Sequence, residues 1–139
     1  MRQSLEESLT KLQNAAVAIF GNDIPDTEGQ ASIVVQFADG TVLKATYWRV
    51  TQNGKAQFSS FDHRQKYGLP APVDAKTQLI NLLHGKICLS AHVDKETADL
   101  VLIFADFTKL QIFNFTGYEI WEILFPNGTG EYSNYALRD

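Results

Sequence analysis

A chain of 139 residues with 45% hydrophobic and 20% charged side chains has the size and composition of one domain, able to bury a core without disulfides or metal. Its formal net charge of -4 lacks the basic footprint that a phosphate backbone requires, which argues against nucleic acid, and no apolar run is long enough to span a membrane. The single cysteine, Cys88, has no partner for an internal disulfide, and Met1 to Glu7 carries acids where a secretory segment would be basic and then apolar; the expectation is a cytoplasmic protein.

Near the start, Leu5, Leu9, Leu12, Ala16 and Ile19 follow helical spacing, with Ser4 and Glu7 set as a capping box. Ile33, Val35 and Phe37 then alternate with Ser32, Val34 and Gln36, predicting a strand whose apolar face enters the core. The turn Ala38-Asp39-Gly40-Thr41 closes a hairpin, and Asn53-Gly54 marks another. The segment from Phe61 to Val73, with Gly68-Leu69-Pro70-Ala71-Pro72, reads as a surface connector. A second, shorter helix is expected from Asp74 as N-cap to Gly85, presenting Leu79, Leu82 and Leu83. Ile87, Leu89, Ala91 and Val93 alternate with Cys88, Ser90 and His92 as in a half-buried strand, and Leu100, Leu102 and Phe104 repeat the earlier core face.

Much of this order occurs twice. Ala31 to Leu43 lies over Ala98 to Leu110 with 7 identities in 13 ungapped positions. Thr10, Leu12 and Asn14 fall over Thr77, Leu79 and Asn81, and Trp48 and Asn53-Gly54 match Trp121 and Asn127-Gly128 after a short insertion. Two copies of a long period predict a duplicated unit rather than an array. The fold reading is therefore α+β: one domain of two tandem pseudo-equivalent repeats, about 1–73 and 74–139, each a helix followed by antiparallel strands. The alternative is a mainly-β partial barrel.

One position breaks the match. Phe107 stands where the first copy has Gly40, at a turn position that favours a positive φ. The charge is also uneven: lysines and arginines number 7 against 7 acids before residue 74, and 5 against 9 from there on. Phe107, Tyr118, Glu119, Trp121 and Glu122 are accordingly the candidate partner-binding residues, on the acidic and aromatic second half. Repeated tryptophans on strands are otherwise expected to fill the core.

No catalytic constellation stands out, and no cofactor or metal site is expected. His84, Cys88 and His92 are spaced by four, but Gly85 breaks the helix that would bring them to one metal. Asp39 and Asp106 sit at turns, where Asp bonds its own backbone. Asp62-His63-Arg64 has the form of an acid-base pair without a nameable nucleophile, since Ser59 and Ser60 lack a strained elbow. His63, Arg64 and His92 are kept as the candidate lining of a small-molecule pocket between the two halves.

The run Asp99-Leu100-Val101-Leu102-Ile103-Phe104-Ala105-Asp106, then Leu110, Ile112 and Phe113, then Gly117-Tyr118-Glu119, Trp121 and Pro126-Asn127-Gly128, resembles a group of small bacterial domains of unknown function. Some proteins similar to these are cytoplasmic partners of bacterial toxins, so the resemblance implies an immunity-type or other protein-binding role. The functional expectation is a non-catalytic cytoplasmic module with a protein partner or a second copy of itself, neither nucleic acid nor membrane. The alternatives are a small-molecule binder or cryptic enzyme with its site between the repeats, and a self-associating structural domain.

Overall fold

The computed structural model describes residues 4–22, 26–114 and 120–133. The chain runs α1 (Leu5–Thr10), β1 (Ala15–Gly21), β2 (Ile33–Phe37), β3 (Val42–Ala45), β4 (Trp48–Gln52), β5 (Lys55–Ser59), a 3-10 turn (Ser60–Asp62), α2 (Ala75–Leu83), β6 (Ile87–Val93), β7 (Leu100–Phe104), β8 (Thr108–Ile112), β9 (Trp121–Leu124) and β10 (Gly130–Tyr132). The ten strands of the described residues join one antiparallel sheet in the order β10-β9-β3-β2-β1-β6-β7-β8-β4-β5.

The fold is mainly β, which corrects the α+β expectation. The first helix stops at Thr10 instead of running through Ile19, because Asn14 turns left-handed (φ 61) and the following Ala-Ala-Val-Ala-Ile-Phe-Gly extends between β2 and β6. Within that segment Val17 and Ile19 point into the core two residues apart, so the strand period overrides the helical one. The second helix keeps its expected start, with Asp74 accepting from the Thr77 backbone at 3.0 Å.

The sheet is not two helix-plus-sheet units side by side. The β4–β5 hairpin pairs with β8, and the β9–β10 hairpin pairs with β3, so each half of the chain completes the sheet of the other. The strand order reads the same from either end when β1 to β5 exchange with β6 to β10, and β5 and β10 are left as the two edges. The seam at the centre is short, Ala15 opposite Cys88 and Ala16 opposite Ile87.

One face of the sheet carries the core. Ile33, Val35 and Phe37 on β2 and Leu100, Leu102 and Phe104 on β7 are all buried, together with Leu5 and Leu9 of α1 and Leu79 and Leu83 of α2. Burying one such side chain contributes roughly 1.5–3 kcal/mol. Trp48 and Trp121 are enclosed, and each gives its indole N–H to a carbonyl at the entry of the neighbouring hairpin, Ala31 and Ala98, both at 2.8 Å. In β6 the alternation is broken. Leu89 is an extra residue between Cys88, opposite Phe104, and Ser90, opposite Ile103, so Cys88 and Ala91 turn inward while Ile87 and Leu89 stay exposed.

Candidate binding surface

Strand alternation around Trp48 produces the most developed surface feature. With the Trp48 ring in the core, its neighbours Tyr47 and Arg49 are turned the other way. The chain next passes through β5 into the 3-10 turn. There Ser59 and Asp62 cap each other's backbone, the Asp62 carboxylate accepting from Ser59 N at 2.9 Å and the Ser59 hydroxyl from Phe61 N at 3.1 Å. Ser60 turns inward, its hydroxyl accepting from Trp48 N at 3.0 Å, and this throws Phe61 outward.

Phe61 stacks on Tyr47 with ring centres 5.4 Å apart and planes at 21°. Phe113 lies with its ring centre 6.5 Å from that of Phe61, and it leaves the end of β8 with its N–H on the Tyr47 carbonyl at 2.9 Å. The Arg49 guanidinium sits 5.0 Å over the Phe113 ring and donates through Nε to Gln111 Oε1 at 2.8 Å. Gln30 donates to the Tyr47 hydroxyl at 2.6 Å. The result is a ledge of three aromatic rings with an arginine that has no carboxylate partner among the described residues.

Beyond Asp62, Tyr67 is exposed and donates to Asp62 Oδ1 at 2.7 Å, which raises the Tyr67 pKa above its ordinary value. The surface here is aromatic and hydrogen-bonded. The Ser60 hydroxyl is committed to the Trp48 backbone, while the Ser59 hydroxyl accepts from Phe61 N and donates to Asp62 Oδ2 at 3.4 Å.

His63 and Arg64 line an open groove of about 690 Å³ with Asp26, Asp74 and Lys76. His63 is 4% exposed. Its Nδ1 accepts from the Ala75 backbone at 3.1 Å, so the ring proton lies on Nε2 and is donated to Asp26 Oδ2 at 3.2 Å. Lys76 clasps the same carboxylate at 2.7 and 2.6 Å, and Arg64 donates to the Asp26 carbonyl at 2.9 Å. Burial works against the Asp26 charge, but Lys76 and then His63 outweigh it and hold its pKa below the usual carboxylate value. A general base needs a lone pair facing a substrate, and that of His63 is spent on the start of α2. The cluster ties the connector to the helix.

His92 does not join this groove. It lines a second one of about 340 Å³ with Asp94, Asp99, Gln111 and Phe113, and its Nε2 meets the Ser90 hydroxyl at 3.1 Å. Among the described residues no three His, Cys, Asp or Glu side chains are grouped to hold a metal ion. No helix of the described residues is long and apolar enough to cross a membrane.

The second-half residues singled out from sequence are dispersed. Trp121 is in the core, and Glu122 on β9 faces Lys44 at 3.8 Å. Phe107 stands at the β7–β8 turn on the other half of the sheet, while Tyr118 and Glu119 lie outside the described residues. Sequence reasoning missed Tyr47, Arg49, Phe61 and Phe113. The alternation about Trp48 was a usable signal for the first two, but their meeting with Phe113 depends on β4 lying beside β8. Comparison with protein-family models, with curated proteins and with solved structures finds no match.

Proposed function

We propose that the protein is a non-catalytic binding module whose partner is another protein, engaged through the ledge of Tyr47, Phe61, Phe113 and Arg49. The observation that carries this reading is the run of stacked, partly exposed rings capped by an arginine that has no carboxylate partner among the described residues. Aromatic side chains and arginine supply most of the energy of protein interfaces, since they offer large, rigid contact area and directed hydrogen bonds. Both ring nitrogens of His63 are taken up by the Ala75 N–H and the Asp26 carboxylate, which weighs against His63 as the general base of an enzyme. An immunity-type role is one such function, and is the one implied by the sequence resemblance.

The test is affinity capture from native lysate by the immobilised protein, run in parallel with Phe61→Ala, Arg49→Ala and Glu122→Lys. The expected outcome is one retained protein, lost with either ledge substitution and kept with Glu122→Lys. Loss with Glu122→Lys alone moves the interface to β9, and a retained metabolite with no protein overturns the reading.

A further inference from the structure

Around Arg49 the outer face of the sheet carries opposite charge at its two ends. Strand pairing sets Arg49 of β4 opposite Gln111 of β8, Gln111 opposite Val101 of β7, and Val101 opposite His92 of β6. Directly paired residues share a face, so these four form one row, turned away from the buried Val50, Leu110, Leu102 and Ala91 beside them. At one end of the row the guanidinium is pinned, with the Phe113 ring 5.0 Å from it and its Nε–H on Gln111 Oε1 at 2.8 Å. Its two terminal nitrogens have no partner among the described residues. Lys109, opposite Thr51 on the same face, is exposed and adds positive charge there. The nearby Asp62 is already engaged, Oδ1 by the Tyr67 hydroxyl and Oδ2 by Ser59 N.

At the other end, the β6–β7 loop brings Asp94 and Asp99 to the groove of about 340 Å³ that Gln111 and Phe113 also line. One oxygen of each carboxylate is spent on backbone. Asp94 Oδ1 accepts from Glu96 N and Thr97 N at 2.9 and 3.2 Å, and Asp99 Oδ1 from Asn114 N at 2.7 Å. Neither acid has an ion-pair partner among the described residues, and Lys95 of the same loop reaches Glu6 at 3.2 Å instead. Neighbouring strands lie about 4.8 Å apart, so two to three strand spacings separate the ends, about 10–14 Å or three to four residues of extended chain. A pinned guanidinium with free terminal N–H groups offers a carboxylate a two-point seat and gives up little side-chain freedom in doing so. The far carboxylates suit a cation, and Phe113 and Val101 between the ends suit an apolar side chain.

We propose that the partner segment received here is extended and dipolar: an acidic residue on Arg49, an apolar residue over Phe113 and Val101, and a basic residue three or four positions away at Asp94 and Asp99. The inference rests on the ledge as a protein-binding surface and adds the chemistry of what that surface takes. A segment of like charges is repelled at one end or the other, so the site selects for charge spacing and not for net charge.

Titration of the isotopically labelled full chain with short end-blocked peptides, followed by backbone amide and arginine Nε–H shifts, tests it. The peptide Glu-Ala-Phe-Lys is expected to move Arg49 Nε–H and the amides of Gln111, Val101 and Asp99 together and to saturate. Gln-Ala-Phe-Lys and Glu-Ala-Phe-Gln, each lacking one charge, are expected to bind about fivefold more weakly or worse. Arg49→Glu is expected to reject Glu-Ala-Phe-Lys and to accept Lys-Ala-Phe-Lys, a gain that an unfolded variant would not show. Equal binding of the first three peptides, binding of none of them, or an Arg49→Glu protein that behaves as the wild type overturns the proposal. Failure of the ledge itself gives a different result. In the lysate capture, a protein lost with Phe61→Ala but kept with Asp99→Asn leaves the ledge standing and overturns the dipolar partner, whereas one kept with Phe61→Ala overturns both.

Discussion

At Asp26 two opposing effects meet, and the geometry decides between them. Burial favours the neutral acid, yet Lys76 at 2.6 Å and the His63 N–H at 3.2 Å keep the carboxylate charged. Because the folded-state pKa lies below the unfolded value of about 3.9, the interaction contributes its full stability above that pH and loses it as pH falls through the folded pKa. Lys76→Met is expected to lower the unfolding free energy by about 2 kcal/mol at neutral pH. In urea titrations, the difference from wild type should shrink as the medium is acidified below about pH 4. Cys88 makes the converse case. Burial pushes its thiol up to about 11, and its Sγ–H is directed at the Ser90 carbonyl at 3.3 Å. The native protein is expected to resist thiol reagents at neutral pH and to react only after unfolding, as labelling with and without denaturant will show.

Among the elements, the hairpin strands were legible in the sequence because their signals agree. Ile33, Val35 and Phe37 alternate, Leu100, Leu102 and Phe104 repeat them, and both sets are buried. The segment after α1 was not legible, since Leu12, Ala16 and Ile19 satisfy the helical period while Val17 and Ile19 satisfy that of a strand. Asn14 settles the matter locally by adopting φ 61. Asn14→Gly is expected to leave stability within a few tenths of a kcal/mol, whereas Asn14→Val should cost about 1–2 kcal/mol in equilibrium unfolding. The bulge at Leu89 had no sequence signal either, and one inserted residue turned Cys88 inward and Ile87 and Leu89 outward while Ala91 kept its expected face. The ledge was hidden for a further reason: Tyr47, Phe61 and Phe113 become neighbours only through a pairing of distant strands, which local patterning does not encode.

Across the whole molecule, the exchange of hairpins binds the two halves into one cooperative unit. Removing β4–β5 strips the outer neighbour from β8, and removing β9–β10 does the same to β3. Each half therefore loses sheet and core when the other opens. Urea unfolding followed by far-ultraviolet dichroism and by the fluorescence of Trp48 alone (in Trp121→Phe) is expected to give superimposable transitions, and likewise for Trp121 alone in Trp48→Phe. Two separated transitions in either variant would mean that the halves unfold independently.

The same exchange sets a timetable for synthesis. Leu43 cannot meet Ile123, nor Val50 meet Leu110, until most of the chain has been made. A nascent chain ending after β5 displays, besides the short β1 edge that β6 will cover, two orphan edges, one on β3 and one on the side of β4 that β8 will cover. Such edges invite pairing with other chains, and non-local strand partners arrive slowly. The growing polypeptide consequently passes through a long interval in which its first half is sticky and incomplete, and the last few dozen residues to emerge close both gaps.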